Sequence, residues 1–262
     1  MKKYTVILAA VLLLCTACQP RTEFSAGDKL LKEARRAYAS GFYMAAEESY
    51  QKYLEEVSES VDRFEAWQRL VDISLSVKGD NLKAAGLLEA VYLEFGNTNH
   101  KGWILLNRLG DVYAQMGQYG KALRAYENSL PMVEDDAKRI RSTRLNMVRL
   151  YRRMGSHNLA IKLLEECVAS SPQKSDAKAA CMYELAQEFV FTENFNKASA
   201  LLEDVLGFGD LPEYDRAVAA LLLSDIYEEQ GKKEEAQRLL ITLRGAYPNP
   251  EVIEVRLMKY KG

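Results

Sequence analysis

The sequence predicts an all-α solenoid of six helix-turn-helix repeats with a 38-residue period, closed by a C-terminal capping helix. Three observations predict it. Six alanines, Ala46, Ala84, Ala122, Ala160, Ala198 and Ala236, stand at equal steps of 38 residues. Five residues before them a glycine recurs at Gly41, Gly79, Gly117, Gly155 and Gly231, with Glu193 in its place in the fifth unit. Four residues after them comes a large apolar side chain: Tyr50, Leu88, Tyr126, Leu164, Leu202 and Leu240. A unit this short cannot bury its own apolar face, so its neighbours must cover it.

Each unit divides in the same way. Alanine and bulky residue at i and i+4 share one helical face, the small side chain admitting a neighbouring backbone and the large one filling the space beside it. The glycine ends the preceding helix, because it adopts the left-handed conformation that a helix end requires. A further bulky column, Leu75, Tyr113, Tyr151, Phe189 and Tyr227, with Ala37 in the first unit, lies nine residues before the alanines. Helix pairs are expected near 27–40 and 43–57, 61–78 and 81–95, 101–116 and 119–133, 136–154 and 157–170, 175–192 and 195–206, and 213–230 and 233–246. Ser175 can cap the ninth helix, and the run Asp210-Leu-Pro-Glu213 offers a capping aspartate for the eleventh. Val252, Ile253, Val255, Leu257 and Met258 among charges predict a last helix over the exposed end of the array.

These columns resemble the tetratricopeptide repeat family. The third unit carries Leu109-Gly110, Tyr113, Gly117, Tyr119, Ala122 and Tyr126, and the sixth carries Leu223, Tyr227, Gly231, Ala236, Leu240 and Pro248. Pro172 ends the fourth unit at the equivalent place. The family's usual period is about 34 residues, so helices or connections here are longer, as in the variants found in envelope lipoproteins. The resemblance spans 27–248 and implies a right-handed superhelix whose first helices line a concave groove that binds protein.

The N-terminus predicts an address. Met1-Lys2-Lys3 is basic, Thr5 to Leu14 is an apolar run too short for a membrane span, and Thr16-Ala17 are small residues before Cys18. Leu14-Cys15-Thr16-Ala17-Cys18 resembles a bacterial lipobox, with Cys15 where leucine is usual. The expected organisation is a signal peptide over 1–17, lipidated Cys18 and a polar tether over 18–26, repeats over 27–248 and the capping helix over 249–262. Acyl chains on Cys18 would anchor the protein without spanning the bilayer. By the same resemblance, Gln19 after the cysteine favours an outer-membrane lipoprotein facing the periplasm.

Composition narrows the partner. The chain has 35 Lys and Arg against 37 Asp and Glu, and loss of Lys2 and Lys3 with the signal peptide leaves a net charge of −4. Mixed signs give no field for nucleic acid. With 48% hydrophobic residues and six prolines, the composition suits continuous helices and argues against a disordered or all-β chain. His100 and His157 are read as solvated turn residues in no metal-ligand spacing. Gly207-Phe-Gly209 lacks the further glycine and the strand that a phosphate loop needs. No catalytic residue, metal or cofactor is expected, and a hydrolase using scattered carboxylates is the remote alternative. Trp67 and Trp103 are read as packing residues. Cys167 and Cys181, 14 residues apart on helices that should be neighbours, permit a disulfide in an oxidising compartment or form a pair of small buried side chains.

The family resemblance places the binding residues two before and one after the bulky column. In the fourth unit these are Arg149 and Arg152, with Asn146 a turn earlier; the neighbours supply Asp111 with Ala114, Gln187 with Val190, and Asp225 with Glu228. An arginine pair at i and i+3 can grip a carboxylate, so an acidic or C-terminal peptide segment is the expected ligand. The expected function is an envelope scaffold holding another envelope protein or peptide. Its lipoprotein character resembles accessory subunits of outer-membrane β-barrel assembly, type IV pilus pilotins and adaptors of peptidoglycan hydrolases. Oligomeric state is left open by the sequence.

Overall fold

The computed structural model describes residues 25–133 and 136–260. Residues 1–24, with the expected signal peptide and the expected lipidation site at Cys18, lie outside the described residues. Within them thirteen α-helices and no strand occur. The chain forms two compact units, one ending at Leu87 and the other beginning at Leu88.

In the first unit, α1 (Ala26–Ala39) pairs with α2 (Tyr43–Glu56), followed by α3 (Arg63–Asp72) and the start of α4 (Asn81–Phe95). Ser25 opens α1 with a reciprocal cap: its Oγ accepts the Asp28 amide at 3.1 Å, and Asp28 accepts the Ser25 amide at 3.0 Å. Leu31, Ala34, Ala46, Tyr50, Ala66, Leu70 and Ile73 form the core. Glu47 is buried on α2, where Lys83 donates to it at 2.6 Å and Lys78 donates to its other oxygen. Arg35 joins α1 to α3 through Asp62 at 2.7 Å and through Glu65.

The second unit takes the rest of α4 and then α5 (Asn99–Gln115), α6 (Tyr119–Ser129), α7 (Ala137–Arg153), α8 (His157–Ser170), α9 (Asp176–Phe191), α10 (Phe195–Leu206), α11 (Glu213–Glu229), α12 (Lys233–Thr242) and α13 (Pro250–Met258). Leu164, Leu185, Phe189, Leu202, Leu223 and Ile226 form its main core, and Ile253 and Leu257 of α13 pack on Ala217, Ala220, Leu240 and Leu243. Side chains of this size contribute about 1.5–3 kcal/mol each when fully buried. All six periodic alanines are 0% exposed, and the bulky residues four positions on are at most 2% exposed. The small and large columns are therefore the hairpin contacts.

The turns repeat the same chemistry. At Gly117, φ is 71°, its amide donates to Ala114 O at 3.1 Å, and the Gln118 amide reaches back to Tyr113 O at 2.8 Å. Glu193 takes the same left-handed form at φ 58°, with matching bonds from Glu193 to Val190 and from Asn194 to Phe189. The fifth turn keeps the geometry without the residue suited to it.

Several expectations are corrected. The first helix of the second pair ends in a π-helical turn, Ile73–Val77, where the Lys78 amide bonds to Ile73 O. The helix expected to reach 133 closes as a 3-10 turn over Leu130–Val133, and α12 stops at Thr242 rather than 246. Asp210 does not cap α11: Pro212 precedes its first residue, Glu213, without a side-chain bond. Ser175 does cap α9, accepting from the Lys178 amide at 3.1 Å. His100 lies within α5 rather than in a loop, and His157 opens α8 half-buried. Trp103 donates from Nε1 to Thr143 Oγ1 at 3.1 Å, within a buried network in which Asn107 bonds Ser129 at 2.9 Å and accepts from Thr143 at 3.0 Å. Cys167 and Cys181 form a disulfide joining α8 to α9, with Cα atoms 5.9 Å apart.

Candidate partner-binding groove

The first helices of successive pairs, α5, α7, α9 and α11, carry the residues singled out from the sequence, and the structure sorts them into three groups. Asp111, Asn146 and Arg149 come together at an opening of about 250 Å³ between α5 and α7, whose rim also holds Gln115 and Arg153. Arg149 Nη1 donates to Asn146 Oδ1 at 2.8 Å. Asp111 is fixed from behind, accepting the Tyr126 hydroxyl at 2.6 Å. Burial pushes the Asp111 carboxyl above its ordinary range, opposed by the Tyr126 bond and by the charges of Arg149 and Arg108. Burial, with Asp111 beside it, pushes the Tyr126 hydroxyl up in turn. Tyr126 can reach Asp111 because residue 110 is glycine: a Cβ there would stand 2.5 Å from the Tyr126 ring.

Arg152 belongs to a second group and does not face this opening as a free cation. Its Nη1 donates to Glu184 Oε2 at 2.7 Å, its Nη2 to the Glu184 carbonyl at 3.1 Å, and its Nε to Glu188. Glu188 is also 3.0 Å from His157 Nδ1, and the His157 ring stacks on Phe191 at 4.0 Å between centroids. The expected Arg149–Arg152 grip is thus divided. Arg149 faces the opening, and Arg152 ties α7 to α9. Gln187, one residue before Glu188, sits beside Tyr183 rather than with the arginines.

Asp225 forms the third group. Arg256 of α13 donates to it, while Glu228 takes Lys259 at 3.3 Å and the Tyr260 hydroxyl at 2.5 Å. Burial raises the Asp225 carboxyl despite Arg256. The helix expected to close the core therefore also neutralises the last acidic positions of this face.

Two features of this face lie outside the residues that the sequence pattern singles out. Glu188 occupies a column filled in neighbouring units by Val112, Leu150 and Ile226, and a charge among apolar equivalents was the available signal. Tyr183 and Tyr214 lie outside the repeat columns, and with Glu184 and Asp215 they line a larger opening of about 350 Å³ between α9 and α11. Among the described residues no group of three or more His, Cys, Asp and Glu side chains could hold a metal ion. Among them, too, no helix is long and apolar enough to cross a membrane.

Comparison with known proteins agrees with this architecture. Tetratricopeptide repeat family profiles match residues 101–173 and 218–250. The fold is similar to that of a putative kinesin light chain from Podosopora anserina with nearly identical TPR-like repeats, at 22% identity and a TM-score of 0.55, over 71% of this chain and 94% of that one. It is also similar to BtubC from P. vanneervenii, at 17% identity and a TM-score of 0.54, over 86% and 92%. MamA from Desulfovibrio magneticus RS-1 is similar at 15% identity and a TM-score of 0.52, over 76% and 97%. At these identities the likeness concerns fold alone. No protein of curated function matches the sequence. Such repeats generally mediate protein–protein binding and are generally non-enzymatic. Residues 101–173 and 218–250 are thus tetratricopeptide repeats, and the columns and left-handed turns of the other units repeat the same pattern.

Proposed function

We propose that the chain is a lipid-anchored scaffold on the periplasmic side of an outer membrane, holding another envelope protein by an acidic segment laid across α5 and α7. The observation that carries the groove assignment is the pair Arg149 and Arg153. Both are exposed on the rim of the α5–α7 opening, and neither has a carboxylate within ion-pairing distance among the described residues. Arg152, a neighbour in sequence, shows the alternative fate, since two internal carboxylates hold it. An arginine left with its donors open can fork onto a carboxylate, and such charge-assisted bonds are about twice as strong as neutral ones. Asn146 orients Arg149, and the Tyr126–Asp111 bond holds the opposite wall.

The anchor rests on the lipobox-like run ending at Cys18. Membrane attachment would keep the repeats within reach of the bilayer and raise the local concentration of envelope partners. Among envelope roles, β-barrel assembly, pilus assembly and wall-enzyme adaptation share this requirement.

Two experiments test the reading. A photo-crosslinking residue at position 146 should form a discrete adduct with an envelope protein in intact cells, and Arg149→Glu with Arg153→Glu should abolish it. A crosslinker at exposed Leu159 is the control. Unchanged adducts in the charge-reversed double variant would remove the groove assignment. Cys18→Ala should move the protein from the membrane to the soluble fraction, and membrane retention would remove the anchor.

A further inference from the structure

The α9–α11 opening differs in chemistry from the one between α5 and α7. Its floor is apolar, with Leu211 and Val205 buried and Val218 beside them. Its walls carry two tyrosines, Tyr183 and Tyr214, and two carboxylates, Glu184 and Asp215, and no cation lines it. Tyr214 is 62% exposed, a large aromatic surface left toward solvent. Asp215 has no hydrogen bond or ion pair among the described residues. Glu184 gives one oxygen to Arg152 and keeps the other open. Of the nearby cations, Arg152 is held between Glu184 and Glu188, Arg216 donates to Leu206 O at 2.8 Å and Phe208 O at 2.7 Å, and Lys178 donates to Gln173 at 3.0 Å.

From this cavity we infer that the α9–α11 opening receives an arginine side chain of the bound polypeptide, its guanidinium stacked against Tyr183 and Tyr214 and bonded to Asp215 and Glu184. Charge complementarity selects the occupant. A cation meets the unpaired Asp215, the open oxygen of Glu184 and two ring faces, whereas an acidic side chain would meet Asp215 as like charge with no cation lining the opening. The planar guanidinium can stack on a tyrosine while its edge bonds a carboxylate, which an ammonium cannot do. The inference rests on the scaffold reading and adds a second specificity to it: one stretch of the partner is acidic over α5 and α7, and another carries arginine over α9 and α11.

The test uses the full chain in detergent and fluorescein-labelled nine-residue peptides of glycine and serine, identical but for a central arginine, alanine or glutamate, titrated by fluorescence anisotropy at low salt. The arginine peptide should bind about tenfold more tightly than the alanine peptide, with glutamate weakest. Asp215→Asn and Tyr214→Ala, both at exposed positions, should each reduce the arginine preference to about twofold or less. Arg149→Ala should leave it intact. Equal binding of the three peptides overturns the inference, as does a preference that survives both α11 variants or disappears with Arg149. Crosslinking from position 146 is an independent readout, so the scaffold reading can fail or stand separately.

Discussion

Replacing Glu193 by glycine should make the protein more stable, although it removes a charged side chain and adds no contact. Five of the six repeat turns place glycine at φ between 63° and 77°, and the sixth places Glu193 at 58°. A residue with a Cβ in the left-handed region is disfavoured by about 1–2 kcal/mol. Glycine's greater freedom in the unfolded chain offsets about 0.5–1 kcal/mol of that. The Glu193 side chain is exposed and makes no ion pair among the described residues, so its loss subtracts little. The turn bonds, Glu193 to Val190 at 3.0 Å and Asn194 to Phe189 at 2.7 Å, are backbone bonds and survive the change. The net gain is about 0.5–1 kcal/mol, which for an array of this size is a Tm increase of about 2 °C. Urea titration should show a higher midpoint at unchanged slope, and amide exchange should slow at Thr192 to Asn194. Gly155→Ala, the reciprocal change in the fourth turn, should cost about 1 kcal/mol. If Glu193→Gly leaves the midpoint unmoved while Gly155→Ala costs nothing, backbone conformation is not what selects glycine at these turns.

Other outcomes follow from neighbouring features. Gly110→Ala should destabilise by about 1–3 kcal/mol through overpacking, because the new methyl lies 2.5 Å from the Tyr126 ring; ultraviolet difference spectra should show Tyr126 in an altered environment. Cys167→Ser with Cys181→Ser should lower stability by about 3 kcal/mol, from a cross-link spanning 14 residues, and reductant should then have no further effect on the midpoint. Burial opposes ionisation of Glu47, but Lys78 and Lys83 outweigh it and hold the carboxyl below its usual 4.5. Its stabilising contribution is therefore complete above about pH 4.5 and is lost as pH falls through the lower folded-state value. Glu47→Gln should flatten that acid limb in a pH series of urea midpoints, and an unchanged limb would contradict the assignment.

Most of the fold was legible because repetition averages away local ambiguity. A single alanine says little, but six at one spacing require a shared packing role, and each of the six is fully buried. Helix limits were recoverable where glycine sets the turn, and less so at α12, where no such residue marks the end. The candidate site was legible only in part. Asp111, Asn146 and Arg149 meet because they are set by the repeat geometry. The fate of Arg152 is hidden from the sequence because its partners, Glu184 and Glu188, lie 32 and 36 residues away on α9, a distance that only stacking closes. Asp225 was similarly obscured, since Arg256 reaches it from a helix valued for its apolar residues alone. The tyrosines of the α9–α11 opening stand outside the repeat columns, and nothing in the periodic pattern brings them together.

The bond between Cys167 and Cys181 has a mechanical consequence. Repeat arrays flex by small rotations at each seam, and a covalent clip between α8 and α9 stiffens the seam that lies between the two openings. Bending under load would then concentrate on either side of it, and the two mouths would swing about a common fixed pivot. Reducing that single bond would return this seam to the freedom of its neighbours.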